Sequence, residues 1–510
     1  MHELVLIVDF GSQYTQLIAR RIREENVYCE IISPELSIEE IKAKKPRAII
    51  LSGGPNSIFE KDAPQISSQL FDLAIPILGI CYGLQLIARH FGGEVEADQS
   101  KEYGRQSIQF KNKSQIFSNV NSGSLVWMSH GDHVSKVPKT FLKLAVSNDG
   151  LIAGIAHQAK PIFGVQFHPE VNHTEDGQII ISNFLFKIAS FSRDWTPASF
   201  VDEEIISIRN KVGKENVILG LSGGVDSSVL AFLLHRAIGE QLFPIFINNG
   251  LLRKNEVDEV LKFFEKSHIN VIQRDYSKEF LTALAGVSEP EQKRKIIGRI
   301  FIEAFETEAK KIKNPGFLAQ GTLYPDVIES GAIGKYSVTI KSHHNVGGLP
   351  EKMSLKILEP FRGLFKDEVR KVGKILNVPD IMIKRHPFPG PGLAVRCLGE
   401  ILPERLDILR NVDQVFIAYL KKTGWYDKIW QAFAIILPLQ TVGVKGDQRS
   451  YENVIALRAV HSSDGMTADW VRIPPEMLAE ISTQIINKVP GVNRVVYDIT
   501  SKPPGTIEWE

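Results

Sequence analysis

The stretch Leu219–Leu230, LGLSGGVDSSVL, decides how the chain is read. An apolar strand runs into doubled glycines, and a helix starts at once. Unpaired N–H groups of a first helical turn, together with Ser222, Ser227 and Ser228, can bind a polyphosphate end-on. The common nucleotide-binding loop carries a lysine directly after its last glycine, and here Val225 stands there instead. Asp226 inside such a loop would repel phosphate unless a hard cation lies between them, so the pattern predicts Mg²⁺ at Asp226. A tight strand-to-helix crossover with a serine cap is the simpler alternative. The doubled glycine and the length of the polar run speak against it.

Around this loop, short β-branched runs alternate with amphipathic helical patterns. The run QLFPIFINNG, the helix NEVDEVLKFFEKSH, the long helix EQKRKIIGRIFIEAFETEAKKI and the strand GFLAQGTL extend one α/β series. An earlier series opens with LVLIV and passes through RAIILSGGP, IPILGI and YGLQLIARHFGG before closing near residue 190. Each series predicts a mostly parallel sheet covered on both faces. HPFPGPG at 386–392 is too rich in proline and glycine for a helix or a central strand, and marks a boundary. Beyond it, strand-like FAIILPLQTVGV, NVIALRAV and NRVVYDIT surround one helical pattern. The expected fold class is therefore α/β: two doubly wound, mostly parallel-sheet domains plus a smaller C-terminal α+β domain. The domains fall at 1–190, 200–385 and 386–510.

With 60 basic against 59 acidic residues in 510, no global field draws nucleic acid or an anionic membrane, and neither partner is expected. The N-terminus lacks a cationic leader, and its apolar run is broken by Asp9. Three well-separated cysteines form no C-x-x-C pair, which argues against a disulfide framework or a zinc site and for a cytoplasmic location.

One of those cysteines sits where chemistry is done. In GICYG, Cys81 follows a buried strand, flanked by Gly79 and Gly83, and a helix begins at once. Small neighbours let such a turn thrust a nucleophile above the sheet, and the helix N-terminus favours a thiolate. FHPE supplies His168 as a base, with Glu170 two residues on as its orienting carboxylate. ILSGGP offers N–H groups at Gly53 and Gly54 for an oxyanion. His130 is read as a loop histidine with a satisfied hydrogen bond, and His173 as a surface neighbour of the triad strand.

GICYG and FHPE resemble the motifs of class I (triad) glutamine amidotransferases over residues 1 to about 190. The resemblance implies Cys81 as nucleophile, His168 as base and Glu170 as its partner, releasing ammonia from glutamine through a thioester. SGGVDSS resembles the S-G-G-x-D-S loop of the ATP pyrophosphatase (PP-loop) family, whose members cleave ATP between the α- and β-phosphates. It implies ATP contacts at Ser222, Gly223, Gly224, Val225, Asp226, Ser227 and Ser228, with Mg²⁺ at Asp226. Asp326 and Glu329 follow a strand, where an α/β sheet gathers ligands. Lys366 can stabilise charge developing on the phosphates or be a solvated lysine at a helix start. HHNVGGLP at 343–350 is a candidate lid.

The full order, with a tail ending in SKPPGTIEWE, resembles the glutamine-hydrolysing GMP synthetase family. That resemblance implies adenylation of the 2-oxygen of XMP by ATP and displacement of AMP by ammonia, a step of guanine nucleotide biosynthesis. It carries XMP contacts onto Arg294, Gln431, Asp447, Lys502 and Glu508, and implies a homodimer formed through the C-terminal domain. Three other readings remain: an amidotransferase with a different acceptor, an RNA-modifying PP-loop enzyme, and a nucleotide sensor. Near-zero net charge opposes the RNA reading, and the intact Cys81, His168 and Glu170 set opposes the sensor.

Overall fold

The structure is a computed structural model that describes residues 2–97, 102–329, 355–445, 447–462, 465 and 467–510. The candidate lid at 343–350 lies outside the described residues, as does the side chain of Glu329. The described chain forms two compact units. One is Met1–Phe200 with the segment that starts at Leu323, and the other holds Val201–Thr322 and residues 355–510.

In the first unit the strands are β1 (Leu4–Val8), β2 (Tyr28–Ile32), β3 (Ala48–Leu51), β4 (Ile77–Ile80), β5 (Glu94–Glu96), β6 (Glu102–Phe110), β7 (Leu125–His130), β8 (His133–Lys136), β9 (Phe141–Ser147), β10 (Ile152–His157) and β11 (Ile162–Val165). Nine of them make one sheet in the order β2-β1-β3-β4-β11-β10-β9-β6-β7. From β2 to β11 neighbours pair parallel, and from β11 to β7 antiparallel. All five residues of β1 (LVLIV) and all four of β3 and of β4 are buried. Strands without polar alternation are what a sheet covered on both faces requires. The C-terminal ends of β3 and β4 carry the Gly53–Gly54 turn and Cys81, and the chain just beyond β11 carries His168 and Glu170.

In the second unit β12 (Asn216–Gly220), β13 (Leu242–Asn248), β14 (Ile272–Asp275), β15 (Pro315–Ala319) and β16 (Lys356–Leu358) form a parallel sheet in the order β14-β13-β12-β15-β16. Strand order reverses at β12, the place where open α/β sheets leave a crevice for ligands. β12 leads into the helix Val225–Ile238. The C-terminal part pairs β17 (Gln431–Lys445) with β18 (Gln448–His461) as a long hairpin, flanked by β19 (Asp469–Trp470) and β20 (Val492–Tyr497). One apolar core continues from Ile218 and Leu318 through Leu393, Leu406 and Phe416 to Ile455 and Ile485. The HPFPGPG stretch therefore lies within a single packed unit.

Candidate functional site

Cys81 stands at the N-terminus of the helix Tyr82–His90 with φ +51° and ψ −103°, a conformation costly for a residue bearing a Cβ. Its neighbours explain how the turn closes. A Cβ on Gly79 would lie 2.6 Å from the Gly83 backbone, and one on Gly83 would lie 2.4 Å from the Leu51 carbonyl. Only glycine fits at either place, so the strand can pass straight into the helix with Cys81 at its apex.

His168 Nδ1 donates to Glu170 Oε1 at 2.7 Å, and both side chains are buried. Thr174 Oγ1 donates to the His168 carbonyl at 2.6 Å, and the Tyr14 ring meets the imidazole edge-on, centroids 5.0 Å apart. Burial pushes the His168 imidazole down, but the Glu170 carboxylate and the Cys81 side chain bonded to it hold it well above the usual histidine value. A histidine in this state keeps the proton that the thiol must lose, which is the poise of an activated cysteine. Gly53 lies against this pair: a Cβ there would meet His168 Cε1 at 3.0 Å and Cys81 Cβ at 3.7 Å. The structure thus brings Cys81, His168, Glu170 and Gly53 together, with Gly54 the next residue of the turn.

Sequence reasoning missed Gln166, fully buried with Nε2 3.7 Å from Cys81 Sγ. Its signal was a polar side chain in the otherwise apolar run IFGVQF. His130 ends strand β7 instead of lying in a loop, and its hydrogen bond goes to the buried Glu102 at 3.2 Å. His173 is exposed and packs on Trp127, centroids 4.6 Å apart.

In the second unit, Gly223 takes φ +74° and lets the chain turn from β12 into its helix. Ser222 and Ser227 hydroxyls meet at 2.9 Å, and Gly224 N–H donates to Ser222 Oγ at 3.3 Å. Val225 opens the helix. Ser228 is fully buried, and neither its hydroxyl nor Asp226 Oδ1 has a hydrogen-bond partner among the described residues. Lys366 starts the helix Lys366–Ile375 and reaches Asp226 Oδ2 at 3.1 Å. Asp326 belongs to the first unit, where its Oδ2 accepts the Leu323 N–H at 2.9 Å.

At the C-terminus the structure joins Gln431 and Glu508. Gln431 Nε2 donates to Glu508 Oε1 at 2.8 Å and to the Pro387 carbonyl at 3.1 Å. Glu508 is held by the fully buried Arg396 through two bonds of 3.0 and 2.7 Å, and Arg396 lies over Phe433 at 4.0 Å. Two further fully buried cations secure the tail: Arg458 bonds Asp498 at 2.6 Å, and Lys293 bonds the Glu510 carboxylate. Lys502 Nζ donates to the Gly465 carbonyl at 2.8 Å. Arg294 is exposed beside Glu291, 3.4 Å away. Asp447 is exposed at the tip of the β17–β18 hairpin, whereas Gln431 begins its first strand. At about 3.3 Å per residue the two lie on the order of 45 Å apart along β17, so one chain does not bring them together. The sequence reading passed over Arg396 and Lys293, although a lone arginine inside LAVRCLG signals a buried cation in need of a counter-ion.

The class I glutamine amidotransferase family profile matches residues 6–188, the NAD synthase profile 200–297 and the GMP synthase C-terminal domain profile 418–509. A protein of Brachyspira hyodysenteriae named GMP synthase [glutamine-hydrolyzing] is 56% identical over 507 residues, covering 99% of each chain. Proteins of the same name from Aquifex aeolicus and Clostridium novyi are 54% and 53% identical, covering at least 99% of each chain. The chain belongs to the glutamine-hydrolysing GMP synthase family. In this GMP synthase family member the strained cysteine with its histidine and glutamate lies in one unit and the SGGVDSS turn in the other. Among the described residues, no helix of this family member is long and apolar enough to cross a membrane.

Proposed function

We propose that the chain makes GMP from XMP, using ATP and the amide nitrogen of glutamine. The observation that carries this reading is the Cys81–His168–Glu170 constellation in the same chain as a PP-loop, in a sequence 56% identical end to end to a GMP synthase. Residues 1–190 serve as glutaminase, 200–385 as the PP-loop synthetase, and 386–510 as the dimerisation and XMP-binding part.

In the glutaminase, the Cys81 thiolate attacks the side-chain carbonyl carbon of glutamine. The oxyanion that forms is met by the Gly53 and Gly54 N–H groups, which have no acceptor among the described residues. His168 gives its proton to the departing nitrogen, and ammonia leaves. The neutral His168 then takes a proton from water, which hydrolyses the thioester to glutamate and restores the thiolate.

At the PP-loop, the 2-oxygen of XMP attacks the α-phosphorus of ATP, and the bond to the β-phosphate breaks. Ser222–Ser228 hold the departing pyrophosphate, which is why no γ-phosphate lysine is needed in the loop. Lys366 faces the same charge. Ammonia, attacking as the free base, displaces AMP and leaves GMP. Asp226 fits a Mg²⁺ ligand, since one buried oxygen lacks a partner and the other faces Lys366. The ion would supply positive charge against the triphosphate.

For XMP, Gln431 and Glu508 offer hydrogen bonds to the base or ribose, Arg294 and Lys502 suit the phosphate, and Asp447 adds a further hydrogen bond. Because Asp447 lies at the far end of the hairpin from Gln431, its contribution calls for a second copy of the chain. The hairpin suits a homodimer: Val442 and Tyr451 are cross-strand partners, and both are exposed with Leu439 and Val444. All three cysteines are buried and none is disulfide-bonded among the described residues, which suits the cytoplasm.

Incubation with XMP, ATP, Mg²⁺ and glutamine tests the reading. GMP, glutamate, AMP and pyrophosphate are expected in equal amounts, and ADP among the products would refute it.

A further inference from the structure

Between the PP-loop and the Gln431–Glu508 pair runs a series of hydrogen bonds and ion pairs that neither site requires for its own chemistry. Arg385 Nη1 donates to the Gly223 carbonyl at 2.7 Å, at the loop position whose φ is positive. Its Nη2 meets Glu256 Oε1. Glu256 is 4% exposed, and its second oxygen accepts the backbone N–H of Arg253 at 3.0 Å. The Arg253 guanidinium lies 3.1 Å from the buried Asp413 and donates to the Ala432 carbonyl at 3.3 Å. Ala432 is the neighbour of Gln431. A second connection runs through the residues after Arg385: Pro387 accepts from Gln431 at 3.1 Å, and Phe388 lies under both Arg253 and Arg396, at 5.2 and 5.0 Å.

A buried charge that loses its partner is costly, so the members of such a network move together or not at all. Glu256 stands between two arginines. A displacement of Arg385 by nucleotide at the loop releases Glu256, whose other oxygen anchors the Arg253 backbone, and the Arg253 guanidinium is bonded to the strand bearing Gln431. We propose that Arg385, Glu256 and Arg253 are positioning residues that couple the PP-loop to the acceptor subsite, so that nucleotide and XMP each tighten the binding of the other. This rests on the assignment of Gln431 and Glu508 to XMP. Coupling of this kind is reciprocal, which gives it a direct measurement.

The test is calorimetric titration of XMP into the full-length protein, with and without α,β-methylene-ATP and Mg²⁺, and the reverse titration. In the unsubstituted protein each ligand should tighten the other by about ten-fold. In Glu256→Gln the factor should fall below about two-fold, because the amide keeps the shape and the Arg253 bond but leaves Arg385 without a counter-ion. In Arg385→Lys it should fall likewise, since an ammonium cannot span two acceptors as a guanidinium does. Thermal unfolding identifies which variants are folded, and Arg385→Lys carries the test if Glu256→Gln is not. Absence of coupling in the unsubstituted protein, or its persistence in either folded variant, overturns the proposal. Glu508→Gln separates the underlying assignment: unchanged XMP affinity there removes the subsite itself. Weakened affinity there, with coupling intact in Glu256→Gln, rejects the relay alone.

Discussion

Glu170 holds His168 through a 2.7 Å bond, and neither residue is more than 3% exposed. With water excluded, the carboxylate outweighs the burial that would otherwise strip the imidazole of its proton. Glu170→Gln removes that charge, so burial then dominates and the His168 value drops. Glutamine hydrolysis should fall by about 10²–10⁴-fold. Imidazole NMR titration should show His168 no longer above the ordinary histidine range; an unmoved titration would contradict the assignment.

Cys81 alone forms the covalent intermediate, so Cys81→Ala should abolish synthesis from glutamine. Added ammonia should still support GMP formation. Loss of both activities would refute a two-site division of labour.

Asp226 has one buried oxygen without a partner. Asp226→Asn keeps the shape but loses the charge, and should raise the Mg²⁺ concentration needed for half-maximal synthesis by about ten-fold or more. A Mg²⁺ titration of ammonia-dependent synthesis reads this, and an unchanged midpoint would exclude Asp226 as the metal's ligand.

Arg396 is fully buried and grips Glu508 with two bonds. Arg396→Lys keeps a charge but loses the fork, at a cost of about 2–3 kcal/mol. XMP KM should rise about ten-fold or more while the KM for glutamine stays put, measured by steady-state kinetics. Equal changes in both would make Arg396 a general scaffold residue.

His386 gives a pH signature. Burial lowers it to about 4, and the ring is pinned: Ala432 N–H donates to Nδ1 at 3.1 Å, while Nε2 faces the Tyr426 carbonyl at 3.0 Å. Its folded value lies below its unfolded value of 6.5, so the unfolded chain binds the extra proton between those values. Stability from this residue is complete above pH 6.5. It is lost as pH falls toward 4, by about 2 kcal/mol between pH 6.5 and 5. His386→Gln should flatten that limb in thermal unfolding curves compared at the two pH values; an identical slope would show that His386 does not govern it.

Much of this was legible because catalytic loops are local. GICYG, SGGVDSS and FHPE each set their own turn, and the structure places Cys81 and Gly223 at positive φ where the glycine-rich patterns predict sharp turns. The antiparallel half of the first sheet was not legible: β6 (EYGRQSIQF) mixes polar and apolar residues without a clean alternation, and it pairs with both β7 and the more distant β9. HPFPGPG is a break in local structure without being a break in packing. Its residues are pinned from both sides, by Tyr426 stacked on His386 and by Gln431 on Pro387.

The sequence by itself determined the reaction classes: which residues can be nucleophile, base and phosphate loop, and the family to which their order belongs. Those are properties of residue type and short spacing, where backbone strain and helix ends act over a few positions. Only the tertiary structure decided which charges are buried together. Lys293 with Glu510, Arg396 with Glu508, and Arg385 with Glu256 are separated by more than a hundred residues in sequence. No local pattern encodes such pairs. They are selected because a charge taken out of water must find its counter-ion wherever the fold brings one within reach.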